Sequence, residues 1–200
     1  MSWIRVISFE EASGKLKRLY TKVTGPNSNV DNIMMVHSLR PHTMTGHMSL
    51  YKNVLHNSNN TLPKWFLETI GVYVSMLNAC DYCIDHHFSG LQKLLNDAAK
   101  SKQIKEDLEK RNNPFVEEKF NKALVYSKEL TLSPSTVNEE VIKGLRNEGL
   151  TDGEILEVNQ VVSYFNYANR TVLGLGVSTK GDIIGLSPNN SDDENNWNHQ

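Results

Sequence analysis

Two cysteines, Cys80 and Cys83, are the only cysteines in the chain of 200 residues, and they lie three positions apart. His87 follows four positions after the second cysteine. On a helix, residues three and four positions apart share one face, so both thiols and the imidazole would lie side by side. Two thiols at this spacing can form a disulfide, and the imidazole can accept a thiol proton or stabilise a thiolate. The spacing therefore predicts thiol redox chemistry.

The place of the pair in its helix should favour the reactive form of a thiol. We expect a helix to begin near Cys80 and run to about Ala99, and the positive end of a helix lowers a thiol pKa. One thiolate would attack a peroxide and become a sulfenic acid, and the second cysteine would condense with it to a disulfide. An external dithiol or protein reductant would then have to reduce this disulfide before another turnover.

Glu68 is the only acidic residue in the apolar run from Trp65 to Leu77. Burial of a carboxylate is costly unless the group has a partner, so a buried Glu68 would be a candidate functional residue. The sequence equally allows Glu68 to lie on the solvent side of its helix.

Two other interpretations of the cysteine pair stay open from the residues alone. The cysteines could be structural, or they could bind zinc together with His86 or His87. No second cysteine pair is present to complete a structural zinc site, so we do not favour a metal site. His86 is predicted to lie at the surface or at a subunit contact, because it points about 100° around the helix from His87. The remaining histidines in the first part of the chain are assigned no role: His37, His42, His47 and His56.

Charge and hydropathy exclude several classes of protein. The net charge is -2, and the final stretch 187–200 has three acidic residues and no Lys or Arg, which leaves a nearly neutral body. The rest of the chain, being nearly neutral, lacks the excess of Lys and Arg that is typical of a nucleic-acid-binding protein. No apolar run approaches the ~20 residues of a membrane-spanning helix, and the first residues do not resemble a signal peptide. We therefore predict a cytoplasmic protein without nucleic-acid or membrane partners, in a compartment that keeps thiols reduced.

The apolar periodicity predicts an all-α chain that forms a single-domain helical bundle over 1–186, followed by a disordered tail over 187–200. Capping boxes are expected at Ser8–Glu11 and at Thr151–Glu154, and the latter opens a helix to about Leu173. A buried helix is expected over 63–77, and the charged stretch 100–113 is expected to be loop or frayed helix. Further helix starts are predicted at Pro114 and at Ser135 or Thr136. Asn166, Asn169 and Arg170 form a polar stripe that favours helix–helix or subunit packing.

The run from Glu68 to His87 resembles the core motif of the alkylhydroperoxidase D-like family, within the carboxymuconolactone decarboxylase superfamily. The pattern has a glutamate twelve residues before the first cysteine, then Ser-x-x-Asn-x-Cys-x-x-Cys, then a histidine four residues later. The matching residues are Glu68, Ser75, Asn78, Cys80, Cys83 and His87. The segments 151–156 and 164–170 are similar to the last helix of a peroxidase-related branch of the family, and the resemblance is strongest over 62–95.

This resemblance implies an all-helical fold that assembles into homo-oligomers such as dimers, trimers or hexamers. It implies reduction of hydroperoxides without metal or flavin, with Glu68 and His87 relaying protons to Cys80 and Cys83. Because His87 is four residues from Cys83, Cys83 is expected to attack the peroxide and Cys80 to resolve the intermediate. Some relatives have a histidine where this chain has Tyr82, and a phenol is a poor base at neutral pH.

Two alternatives to a peroxidase remain from the sequence. One is a lactone enzyme of the carboxymuconolactone decarboxylase type, although such enzymes do not depend on a cysteine pair. The other is a module without catalytic activity that senses redox state through the disulfide.

Overall fold

The computed structural model describes residues 2–186 and 196–197, and in this part of the chain the regular structure is helical, without any strand. The all-α prediction is therefore confirmed. A π-helical turn, Lys52–His56, continues the third α-helix. The α-helices are α1 (Gly14–Val23), α2 (Asn32–Met35), α3 (Pro41–Tyr51), α4 (Lys64–Leu77), α5 (Asp81–Leu95), α6 (Ala98–Lys110), α7 (Glu118–Leu132), α8 (Glu139–Asn147) and α9 (Asp152–Gly174). None of the described helices is long and apolar enough to cross a membrane.

Helix α4 is the central element of the bundle. Every residue from Phe66 to Ser75 is buried, because apolar side chains on several faces of one helix require neighbours on all sides. Helices α5, α7 and α9 provide those neighbours. The predicted buried helix is thus confirmed, and it places Glu68 in the interior of the protein.

The stretch 100–113 was predicted to be loop or frayed helix, and this prediction is wrong, because α6 spans Ala98–Lys110. The side chain of Asp97 caps α6 by accepting a hydrogen bond from the Lys100 amide. Three well-spaced side chains, Ser101, Ile104 and Leu108, are enough to bury one face of α6 in spite of its many charges. The preceding helix ends earlier than expected, at Leu95, because Asn96 adopts a left-handed conformation with a φ of 49°.

Three predicted helix starts are displaced. At Ser8 and Glu11 the reciprocal capping-box hydrogen bonds form, but α1 begins only at Gly14. Helix α7 begins at Glu118 instead of Pro114, because the Asn121 side chain bonds both backbone groups of Phe115 and fixes that segment as a loop.

Farther along the chain, α8 is capped by Asn138 instead of Ser135 or Thr136. The box at Thr151 and Glu154 forms as predicted and opens α9. The tail predicted to be disordered over 187–200 lies outside the described residues, apart from 196–197.

Close contact between α4 and α9 occurs at Gly71, where a Cβ atom would overlap the ring of Phe165. We expect Gly71→Ala to lower the free energy of unfolding by about 1–3 kcal/mol, the usual cost of overpacking a core, even though alanine favours a helix. Denaturant unfolding of the variant measures this loss. Gly46→Ala in α3 is the matched control, since a Cβ there meets no atom within 4 Å. Equal stability of the two variants would contradict this account of the contact.

Candidate active site

The turn between α4 and α5 places the first cysteine at the start of α5. The Ala79 amide donates to the Met76 carbonyl and the Cys80 amide donates to the Ser75 carbonyl, over 3.1 and 2.9 Å. These two bonds are those of a Schellman motif. Its left-handed position is occupied by Ala79, with a φ of 53°, a conformation that costs a residue with a Cβ roughly 1–2 kcal/mol. The motif makes Cys80 the N-cap of α5.

Side chains from α9 fix this turn. The Asn78 amide donates to the side-chain oxygens of Asn166 and Asn169 over 3.1 and 2.9 Å. Asn169 in turn donates to the Ser75 hydroxyl over 3.1 Å, and Arg170 donates to the Asn166 side chain. The polar stripe on α9 therefore serves helix packing, as predicted, and the serine and asparagine that precede the first cysteine are its partners.

The two thiols are buried and lie within hydrogen-bonding distance of each other. Their sulfurs are 3.1 Å apart, longer than the ~2.05 Å of a disulfide bond, and both cysteines are free. The Cys83 thiol and the Cys83 amide both lower the pKa of Cys80, against the effect of burial. The same hydrogen bond, followed by burial, raises the pKa of Cys83 well above its ordinary value. When the pair loses one proton, the thiolate is therefore favoured on Cys80, at the positive end of α5.

Glu68 and His87 form a short contact between α4 and α5. Glu68 is 1% exposed, and its Oε2 lies 2.7 Å from Nδ1 of His87. Gly90, one turn beyond His87, lets α5 approach α4 so closely that its Cβ position is 3.4 Å from the Glu68 carboxyl group. The Phe165 ring packs edge-on against the imidazole. With Nδ1 bound to the carboxyl group, Nε2 is the His87 nitrogen left to exchange a proton.

A cavity with a free volume of about 50 Å³ is lined by three of the four predicted site residues, Glu68, Cys83 and His87. This volume suffices for a few water molecules or a small solute. Cys80 instead lines a second cleft, together with Val172 of α9 and Val177 in the segment that follows α9. The other residues that line the cavity are Asp31, Ile33, Met34, His47, Met48, Tyr51, Tyr82, His86, Tyr164 and Ala168.

Tyr82 is fixed in a hydrogen-bond network with the C-terminal segment. Its hydroxyl donates to Asp182 Oδ2 over 2.7 Å and accepts from the Ile33 amide over 3.1 Å. Burial and the nearby Asp182 carboxylate raise the pKa of Tyr82 well above its ordinary value. Tyr82 therefore stays a hydrogen-bond donor and does not substitute for a relay histidine as a base.

His86 is partly buried, with 13% of its side chain exposed, so its prediction as an open-surface residue is wrong, whereas the subunit contact stays a prediction. It lines the cavity and is 3.3 Å from Asp182. Asp31 at the start of α2 also lines the cavity, and burial raises its pKa to about 6, against the effect of His86. The cavity wall thus contains an acidic side chain as well as apolar residues from α2 and α3.

Sequence reasoning missed two buried histidines, His47 and His56. His47 lines the cavity, and Nε2 of His56 lies 3.5 Å from Glu68 Oε1. They come from α3 and the π-helical turn, at no regular spacing from the cysteine pair, so no pattern in the sequence could have connected them to it. In the described part of the chain, no three His, Cys, Asp or Glu residues form a group that could bind a metal ion.

Comparison with known proteins shows the fold. No protein-family model matches the chain, and no curated protein sequence matches it. One similar solved structure is an uncharacterised peroxidase-related protein from Ralstonia eutropha JMP134, described as an alkylhydroperoxidase AhpD core. It superimposes with a TM-score of 0.76 at 18% sequence identity, and the match covers 94% of this chain and 98% of that protein. A peroxidase-related protein from Silicibacter sp. TM1040 gives a TM-score of 0.72 at 19% identity, with coverages of 88% and 87%.

A third similar structure is the debrominase Bmp8. It superimposes with a TM-score of 0.68 at 14% identity, and covers 86% of this chain and 89% of its own. A cysteine-to-alanine variant of Bmp8 has been solved with 2,3,4-tribromopyrrole. The fold of this chain is therefore alkylhydroperoxidase D-like.

Proposed function

Because the chain has the alkylhydroperoxidase D-like fold, we propose that it is a thiol-dependent peroxidase that reduces hydroperoxides through Cys80 and Cys83. The observation that supports this most directly is the shared cavity. Cys83 meets the Glu68–His87 pair there, while its sulfur is 3.1 Å from the sulfur of Cys80. A nucleophile, a proton carrier and a resolving thiol are the three groups that the reaction requires.

In the proposed reaction, the Cys83 thiolate attacks one oxygen of the hydroperoxide and the O–O bond breaks. The leaving oxygen takes a proton from Nε2 of His87 and departs as an alcohol or water. Glu68, bonded to Nδ1 of His87, stabilises the imidazolium before this transfer. The Cys80 thiol then condenses with the sulfenic acid, which releases water and forms the disulfide. An external dithiol supplies two electrons and two protons to restore both thiols.

The order of the two cysteines follows from their surroundings. Cys83 lines the cavity with His87, whereas Cys80 lines a second cleft. The lowered pKa of Cys80 suits a different task, because a thiol of low pKa leaves fastest when a reductant attacks a disulfide. We assign the attack on peroxide to Cys83 and the resolving step to Cys80. The thiolate has to pass from Cys80 to Cys83 through the sulfur–sulfur contact.

The free volume of about 50 Å³ limits the substrate, and it favours hydrogen peroxide or a small alkyl hydroperoxide. We further propose one functional domain over 1–186 that acts as a homo-oligomer with a dithiol or protein reductant. Fold relatives described as peroxidase-related support this assignment.

Reductive debromination is a second candidate, favoured by the likeness to Bmp8. A dithiol can replace carbon-bound bromine by hydrogen and release bromide as it becomes a disulfide, so the same two electrons are used. Peroxide is the first choice, because two of the fold relatives are described as peroxidase-related and the cavity is small, with a free volume of about 50 Å³.

We expect fully reduced protein to lose both free thiols on reaction with one equivalent of hydrogen peroxide, because one disulfide forms per peroxide. Thiol titration measures the loss, and peroxide consumption with excess dithiothreitol measures turnover. Unchanged thiols after peroxide treatment would overturn the proposal. Disulfide formation without turnover would favour a redox-sensing module, and bromide release from a bromopyrrole without peroxide turnover would favour debromination.

A further inference from the structure

His56 is a buried histidine whose two ring nitrogens have no hydrogen-bond partner among the described residues. It ends the π-helical turn, and only 5% of it is exposed. Buried polar atoms without a partner are rare in folded proteins and call for an explanation. Single π-helical turns are frequent at functional sites.

The Glu68 carboxyl group lies next to His56. Nε2 of His56 lies 3.5 Å from Oε1, while Nδ1 of His87 lies 2.7 Å from Oε2. The two oxygens of one buried carboxyl group therefore each face a different histidine. The His56 ring is held in this place by an edge-on contact with Tyr51, whose ring also packs edge-on against His87.

His56 is neutral at physiological pH. Burial lowers its pKa to about 4, and the charges of Lys52, His87 and Lys64 act in the same direction, against the opposing effect of Glu68. The Tyr164 phenol on α9, which packs against Tyr51, is also neutral, because burial raises its pKa well above the ordinary value. A neutral imidazole has one N–H donor and does not compete for the proton that His87 carries.

We propose that His56 is a positioning residue that donates its Nε2–H to Oε1 of Glu68 and so completes a His56–Glu68–His87 array. This inference rests on the proposed function of Glu68 and His87 as the proton carriers. The 3.5 Å separation is longer than a hydrogen bond, and such contacts often tighten only when substrate is bound. The donor fixes the carboxyl group with Oε2 towards His87 and gives Oε1 a hydrogen-bond partner. The carboxyl group held in this way supports the imidazolium and the thiolate.

Two substitutions separate this donor role from a packing role. His56→Phe keeps a ring against Tyr51 but has no donor, whereas His56→Gln loses the ring but keeps an N–H at a similar distance from the backbone. We expect the apparent pKa of the thiol pair, followed by thiolate ultraviolet absorbance, to rise by about one unit in His56→Phe. We expect His56→Gln to stay close to the wild type. The acid limb of peroxide turnover should move with the thiol pKa.

His37→Gln is the matched control, because His37 is also buried with a lowered pKa but bonds Thr43 and does not touch Glu68. The thiol titration needs no enzymatic activity, so it tests His56 even if the protein does not reduce peroxides. A wild-type thiol pKa in His56→Phe, or equal shifts in His56→Phe and His37→Gln, would overturn the proposal. A shift in His56→Gln but not in His56→Phe would show that only packing matters.

Discussion

Replacing Cys83 by serine is expected to lower peroxide turnover by a factor on the order of 10³ or more, because a hydroxyl group does not ionise at neutral pH as a thiol does. Cys80→Ser should behave differently. It should keep the first reaction with peroxide, consume one equivalent, and stop at a sulfenic acid on Cys83 because no second thiol can condense with it. Initial rates measure the first effect, and mass spectrometry detects the added oxygen in Cys80→Ser.

The pair of serine variants also tests the order of the cysteines. If Cys83→Ser retained the single reaction and Cys80→Ser lost it, Cys80 would be the attacking residue, in line with its lowered pKa. Full turnover in Cys83→Ser would exclude the proposed mechanism altogether. Both variants replace one buried side chain by a polar group of similar size, so their unfolding curves serve as the control for folding.

The second large effect is expected for Glu68→Gln, which should lower turnover by about 10²-fold, the usual contribution of a positioned acid–base group. The amide preserves the size of the side chain but removes the charge that stabilises the His87 imidazolium. Stability should not fall in parallel. The Gln side-chain oxygen can still accept the His87 N–H, and the cost of burying a carboxylate that is 1% exposed is removed, so the free energy of unfolding is expected to change little.

Rates and denaturant unfolding of Glu68→Gln are best compared with those of Glu109→Gln, which neutralises an exposed carboxylate on α6. The control should match the wild type in both measurements. A Glu68→Gln variant that was as active as the wild type would exclude the carboxyl group from the proton path. A variant that lost activity and stability together would indicate a structural role instead.

The sequence was sufficient for the parts of this protein that depend on local spacing. The interval between the cysteines predicted their contact, and the apolar run around Glu68 predicted a buried helix; the structure contains both. Ser75 and Asn78 match the family motif, but local spacing gives no physical role for them. Their role comes from the tertiary structure, because both side chains bond to Asn169 of α9. The sequence does not predict helix α6, because its many charged residues favour a loop and only a few apolar residues cover its buried face.

Sequence by itself thus determined the all-α class, and it predicted thiol chemistry at the four residues Glu68, Cys80, Cys83 and His87, because helical periodicity converts short spacings into neighbours. Only the tertiary structure decided what surrounds them. The burial of Glu68, the setting of His56 beside its second oxygen, and the bond from Tyr82 to Asp182 all join segments distant in sequence. The packing of separate helices creates these contacts, and no periodicity within one helix specifies them.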